Sequence, residues 1–333
     1  MAEQDDAWDH AQVHGQAERG GPRLPYGPLR IVAGVDGSDT AWHAARWAAA
    51  EAETLDVPLT LLHALHLPNA ATAALEPTGY VDERERVGGE FLAAMLAQVR
   101  AEHPAADIEA ELSAFSPTHR LVEVSAPDIL VVTGTRGHGG FTGMLLGSVS
   151  RALATHARGP LVVVRGPRPE QADGAVVLGV GLDPADSAVD FAFTVARLHG
   201  TQLRAVRAWW PTAPDVGLGV PGSLPIGLGV PSPLYLPELQ VTDEQAKAEA
   251  ARAIERVRVR FPDVPVEIAA IEGNAVPTVC EAAADARLIV VGAHRHRGPL
   301  SVGAGYVVEG LLAHSPVPVA VVPVYETDDE PFA

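Results

Sequence analysis

The chain is nearly free of lysine. Of its 24 basic residues only Lys247 is lysine, and the other 23 are arginine. A Walker A loop needs Gly-Lys-Ser/Thr, and Lys247 follows Ala246, so a P-loop NTPase is excluded. A lysine Schiff base has the same single candidate, set in a charged stretch from Glu244 to Glu249 that reads as a solvated helix face. Cysteine is equally scarce: one residue, Cys280, permits neither an internal disulfide nor a Cys-rich zinc site. Positive charge is in deficit, with 24 basic against 42 acidic residues and a net charge of −18. That balance argues against sequence-independent nucleic-acid binding, which runs on a surplus of Lys and Arg. The N-terminus lacks the pattern of a signal peptide, so a cytoplasmic protein is expected.

One stretch imitates a membrane span. Residues 216 to 237 carry no charge over 22 positions, long enough to cross a bilayer. Yet Pro221, Pro225, Pro231, Pro233, Pro237 and five glycines fall within it, a composition for loop rather than helix. It is read as a surface loop, and no membrane association is expected.

What the sequence does have is itself, twice. Its 333 residues are 47% hydrophobic and 20% charged, enough apolar side chain for more than one core. The run Ile31–Val35 returns as Val176–Val180, an offset of 145. Asp128–Gly134 returns as Ala286–Gly292 and Pro160–Val164 as Pro318–Val322, both at 158. The second copy therefore carries an insertion, and the Pro/Gly loop at 211–237 lies between the markers. Short apolar runs predict strands at 30–35, 58–64, 107–112, 129–134 and 160–165. Ala-rich periodic stretches predict helices near 39–55, 82–102, 117–125 and 148–157. In the second copy the strands fall near 176–181, 202–208, 265–271, 287–292 and 318–323. Short continuous apolar strands joined by helices form parallel sheets covered on both faces. The expected fold class is α/β, as two tandem doubly wound, Rossmann-like parallel-sheet domains. They span 29–165 and 176–325, with a disordered tail at 1–28, a linker at 166–175 and an acidic tail at 326–333.

Ligands of such sheets bind outside the carboxyl ends of the strands, where strand order reverses. Three segments of the first copy stand at strand ends: Gly34-Val-Asp36-Gly37-Ser38, His63-Ala64-Leu65-His66, and Gly134-Thr135-Arg136-Gly137 with Gly147-Ser148 further on. Glycine lets a backbone turn tightly and approach an anion closely. Ser148 opens a helix whose free N–H groups and positive dipole end favour phosphate. Such a loop can hold a polyphosphate without lysine.

The spacing Gly-x2-Gly-x9-Gly-Ser, met by Gly134, Gly137, Gly147 and Ser148 after an apolar strand, resembles the ATP-binding signature of the universal stress protein family in its tandem-domain form. The likeness covers about 31–165 and 176–325. It implies that Asp36 contacts the adenosine portion of ATP and that the backbone at Ala64 reads adenine. It implies ATP, and Mg²⁺ is expected with ATP as a ligand more of the phosphates than of the protein. It also implies that the two copies pack through their last strands as an intramolecular pseudo-dimer, with a further homodimer left open.

The second copy departs from the signature. Gly137 becomes Arg295, Ser148 becomes Tyr306 and Asp36 becomes Gly181, although Asp183 could substitute for that acid. The first domain is therefore expected to bind ATP and the second not to do so in the same manner. Plainer readings stand beside these. Asp36 could instead cap the first helix, although the complete glycine motif favours the ligand role. Arg136 and His138 touch phosphate or are simply solvated. His63 reads as a satisfied core histidine, Trp42 and Trp47 as packing residues, and Cys280 as an inert buried thiol. His294 to Arg297 reads as surface chemistry rather than a metal site.

Three function classes follow. The first is an ATP-binding, stress-responsive regulator with at most slow hydrolysis, since no general base or metal cluster stands out beside the loop. The second is an adenylating or ATP-pyrophosphatase enzyme on a related fold. The third is an interaction module with structural ATP and an unidentified protein partner. A dinucleotide oxidoreductase fits poorly, because Pro184 stands where Gly179-Val-Gly181 would need its third glycine.

Overall fold

The computed structural model describes residues 28–68, 77–137, 146–166, 174–181, 184–210, 242–294 and 304–324. Most of the expected tails and linker, the Pro/Gly loop 211–237, Asp183, His138 and Arg295 to Arg297 lie outside them. Among the described residues no helix is long and apolar enough to cross a membrane.

The first half runs β1 (Arg30–Gly34), α1 (Asp39–Leu55), β2 (Leu59–Ala64), α2 (Tyr80–Glu102), β3 (Ile108–Ser113), α3 (Pro117–Val124), β4 (Ile129–Gly134), α4 (Ser148–His156) and β5 (Leu161–Val164). The second runs β6 (Val176–Gly179), α5 (Asp186–Leu198), β7 (Leu203–Trp209), α6 (Asp243–Arg258), β8 (Val266–Glu272), α7 (Ala275–Ala282), β9 (Leu288–His294), α8 (Tyr306–His314) and β10 (Val319–Val324). The elements are those the apolar runs predict, with ends shifted by a residue or two.

Local chemistry sets the helix ends. Ser38 caps α1 by accepting the Ala41 N–H, and Asp39 follows in the positive first turn. Thr242 and Gln245 close a reciprocal capping box on α6. Trp47 is buried in the core beneath α1, and Trp42 packs against the same cluster, so both are packing residues.

All ten strands form one sheet in the order β3-β2-β1-β4-β5-β10-β9-β6-β7-β8. Among the described residues, pairing is parallel within each half, and the only antiparallel junction is β5 with β10, where Val163 faces Val319. This palindromic order with an antiparallel centre relates the halves by a pseudo-two-fold axis, as an intramolecular pseudo-dimer requires. Two apolar layers cover the sheet faces, each built from both halves. Strand order reverses between β1 and β4 in the first half and between β6 and β9 in the second, creating a crevice at each.

The seam also holds charge. Glu51 of α1 is buried against His199 Nε2 at 2.8 Å and Arg287 Nη2 at 3.3 Å, both from the second half. Elsewhere along the junction, Arg165, just past β5, donates to the Leu312 and Ala313 carbonyls at the carboxyl end of α8. A cation there complements the helix dipole.

Candidate functional site

Strands β1 and β4 lie side by side, Ala33 opposite Val132, so the turns that follow them face each other. The first turn holds Asp36. Its Oδ1 accepts the Ser38 backbone N–H at 3.1 Å and the Ser38 hydroxyl at 2.7 Å. Asp36 therefore does not cap α1 itself; Ser38 caps, and Asp36 orients Ser38. The alternative reading of Asp36 as the helix cap is corrected to that extent.

The second turn wraps close against the first. A Cβ at Gly134 would lie 2.7 Å from Thr40 Oγ1 and from the Thr40 carbonyl carbon. A Cβ at Gly137 would lie 2.1 Å from Asp36 Oδ2. At Gly134 the clash is with backbone, so that position admits only glycine while the turns keep this shape; at Gly137 a side chain would have to displace the Asp36 carboxylate. The Thr40 hydroxyl donates to the Arg136 carbonyl, and Ser38 Oγ, whose proton goes to Asp36, lies 3.2 Å from the same oxygen. That carbonyl is thereby tied back toward α1. The Gly147 N–H donates to the Thr135 carbonyl at 2.7 Å, closing the loop at its far end.

The loop then delivers the chain to α4. Gly147 is the N-cap in extended backbone, and Ser148 is the first helical residue, exposed. Beneath them Ser150 Oγ donates to the Gly134 carbonyl at 2.8 Å and lies 3.3 Å from Thr133 Oγ1. Arg136 is exposed. Its charge, together with burial as the larger cause, pulls the guanidinium of Arg165 below its ordinary range. Two arginines thus stand near one another around a loop that displays glycine.

The end of β2 forms the third wall. Ala64 is its last residue, two beyond the final β1 pairing of Gly34 with Leu62. Arg84 Nη2 donates to the Leu65 carbonyl at 2.6 Å, holding the chain as it leaves the strand. His63 Nδ1 lies 2.7 Å from the Val35 carbonyl and is half-buried, a satisfied histidine. Asp36, Gly134, Arg136, Gly137, Gly147 and Ser148 are therefore gathered at the carboxyl ends of β1 and β4, with Ala64 at the adjacent end of β2. Sequence reasoning missed Thr40, Arg84 and Phe91, whose ring lies where a Cβ at Gly37 of the first turn would meet it at 3.3 Å. Thr40 had a signal, a hydroxyl two residues beyond the helix cap; the others are long-range contacts with none.

A family model for the universal stress protein family matches residues 29–165 and again 174–323. The chain belongs to this family. A universal stress protein of Mycobacterium tuberculosis strain H37Rv is 31% identical over 324 residues, covering 88% of this chain and 94% of that relative. One from Mycolicibacterium smegmatis is 31% identical over 303 residues, covering 88% and 96%. A solved universal stress protein from Archaeoglobus fulgidus superposes with a TM-score of 0.61 at 17% identity, over 89% of this chain and 98% of that one. The chain is thus a tandem universal stress protein with a mostly parallel α/β sheet.

The second copy of the universal stress protein fold presents another surface. Gly181 stands where Asp36 does, and Val291 and Val308 replace the Thr133–Ser150 pair. Gly305, the counterpart of Gly147, has φ of 93° where Gly147 has −72°. Tyr306 follows it, 87% exposed. Cys280, on α7, packs against the shared apolar layer, and burial raises its thiol pKa. Among the described residues no three His, Cys, Asp or Glu side chains come together as a metal site.

Proposed function

We propose that the first domain, 29–165, binds ATP in the crevice between β1 and β4. The second, 176–325, does not hold nucleotide in this manner. The carrying observation is the fit of Gly137 against Asp36, where a Cβ would stand 2.1 Å from Oδ2. Such closeness brings a backbone loop and a carboxylate to one ligand. In this reading Asp36 contacts the adenosine portion and the backbone at Ala64 reads adenine. The backbone N–H groups of Arg136 and Gly137 and those of the first turn of α4, the Ser148 hydroxyl and the Arg136 side chain take the phosphates. With the Arg136 carbonyl drawn toward α1, the loop turns an acceptor away from a polyanion. When bound, Mg²⁺ supplies charge neutralisation of the phosphates; the loop has no carboxylate cluster to hold it alone.

The side chains at the crevice bind rather than react. His63 is committed to the Val35 carbonyl and Asp36 Oδ1 to Ser38, so hydrolysis is slow at most. The chain then acts as a cytoplasmic, nucleotide-dependent stress-response regulator, in which ATP occupancy alters its contacts with a protein partner. Calorimetric titration of ATP into the wild type, Gly137→Arg and Ser148→Tyr tests the site. Binding is expected in the wild type and lost in both variants. Undiminished affinity in both variants overturns the assignment.

A further inference from the structure

Asp36 is held from both of its chain neighbours. On one side, the Val35 carbonyl lies 2.7 Å from His63 Nδ1. A carbonyl can only accept, so Nδ1 carries the proton and donates. On the other side, Gly37 has φ of 85°, and a Cβ there would meet the ring of Phe91 at 3.3 Å. The two supports touch each other: the His63 and Phe91 rings meet edge to face with centroids 4.9 Å apart. The contacts form a closed circuit from residue 35 through His63 and Phe91 to residue 37, with Asp36 between its ends.

The second half keeps the scaffold of this circuit and changes its chemistry. Gly34 pairs with Leu62 and Gly179 with Val206, so the next residues, His63 and Arg207, occupy equivalent places. The buried positions of the long helices share their spacing at three of four points, with Gly88, Leu92 and Val99 on α2 corresponding to Ala246, Ala250 and Val257 on α6. That register sets Phe91 opposite Glu249. Arg207 Nη1 donates to the Val180 carbonyl at 3.3 Å, as His63 does to Val35, and Nη2 pairs with Glu249 at 3.3 Å. The residue so supported is Gly181, which has no side chain to position. A pair of rings next to Asp36 has become an ion pair next to glycine.

We infer that His63 and Phe91 are positioning residues that set Asp36 for the nucleoside, so the base end of the crevice, as well as the phosphate loop, decides which half takes a nucleotide. This rests on the reading of Asp36 as the adenosine contact. Losing the His63 bond or the Phe91 ring frees the turn and weakens nucleoside recognition, while the phosphate loop, held by Thr40, Gly147 and Ser150, is left intact.

The test compares ATP with inorganic tripolyphosphate, which can use only the phosphate loop. Calorimetry is run on the full chain as wild type, His63→Ala, Phe91→Ala and the conservative His63→Asn, which keeps an N–H donor. Both alanine variants are expected to weaken ATP by about tenfold, the worth of a well-placed hydrogen bond or ring contact. Tripolyphosphate affinity is expected to stay unchanged, and His63→Asn to recover most of the ATP affinity. The double change His63→Arg with Phe91→Glu installs a pair that the second half accommodates at the same place; it is expected to fold, to lose ATP and to retain tripolyphosphate. Parallel loss of both ligands would mark a merely structural role and overturn the inference, as would ATP affinity unchanged in every variant. A wild type that takes tripolyphosphate but not ATP would instead overturn the ATP site itself, a separate and visible failure.

Discussion

Strand for strand, the two halves bury the same kinds of residue: Val131 and Val132 in β4 answer to Ile289 and Val290 in β9. Above the strands the match ends. The first half places Asp36, Thr133, Ser148 and Ser150 where the second has Gly181, Val291, Tyr306 and Val308. The difference separates two demands on one sequence. Parallel strands need continuous apolar side chains and tolerate many of them, whereas a phosphate loop needs glycine at a few fixed points and hydroxyls below it. Valine at 291 and 308 keeps the core filled without supplying any group to hold the loop. The residues at the strand ends can change while the sheet beneath them remains intact.

The strongest way to break this contrast is to move the second half's residue into the first. Gly137→Arg places a side chain on the Asp36 carboxylate and is expected to weaken ATP by more than a hundredfold, about 3 kcal/mol or more, by calorimetry. The fold should survive, since Gly137 is exposed. Next comes the seam that joins the halves. Glu51→Ala leaves Arg287 buried without its carboxylate and is expected to destabilise the chain by about 3 kcal/mol in chemical denaturation. An unchanged midpoint would show that the halves do not lean on this contact.

Smaller effects sharpen the comparison. Ser148→Ala removes the hydroxyl at the start of α4 and is expected to weaken ATP by about fivefold, roughly 1 kcal/mol, with no change in stability. The smallest effect separates the outer edges of the sheet. Thr60 bonds Glu109 in the first half; Arg204 bonds Glu267 and also Asp285 in the second. The Arg204 hydrogen bond holds the Asp285 carboxyl below its ordinary value. A depressed folded-state pKa contributes stability above the unfolded pKa of about 3.8, and that contribution is lost as pH falls through the folded value. Asp285 is largely exposed, so solvent screening keeps the effect small. Denaturation of wild type and Asp285→Asn should therefore differ slightly near neutrality and converge in acid. A gap that widens in acid would reverse the sign.

Much of this arrangement is legible in the sequence. Ile31–Val35 and its return at Val176 marked both first strands, because a doubly covered strand must be apolar on both faces. The glycine spacing with Asp36 marked the crevice, because close approach leaves few alternatives to glycine. The supports were not legible. Phe91 lies 54 positions beyond Gly37, the residue it backs, on a helix whose pattern looks like any amphipathic one. Glu51 reads as one acid in an Ala-rich helix until His199 and Arg287 arrive from the other half. Such contacts depend on how helices dock across a sheet, which no local periodicity encodes.

The central claim, one working crevice and one altered copy, is a claim about stoichiometry. Native mass spectrometry of the full chain titrated with ATP and Mg²⁺ reads it directly, with Gly137→Arg alongside. A single ATP per wild-type chain and none on the variant is the expected result. Two ATP per wild-type chain, or one that persists on Gly137→Arg, would contradict it.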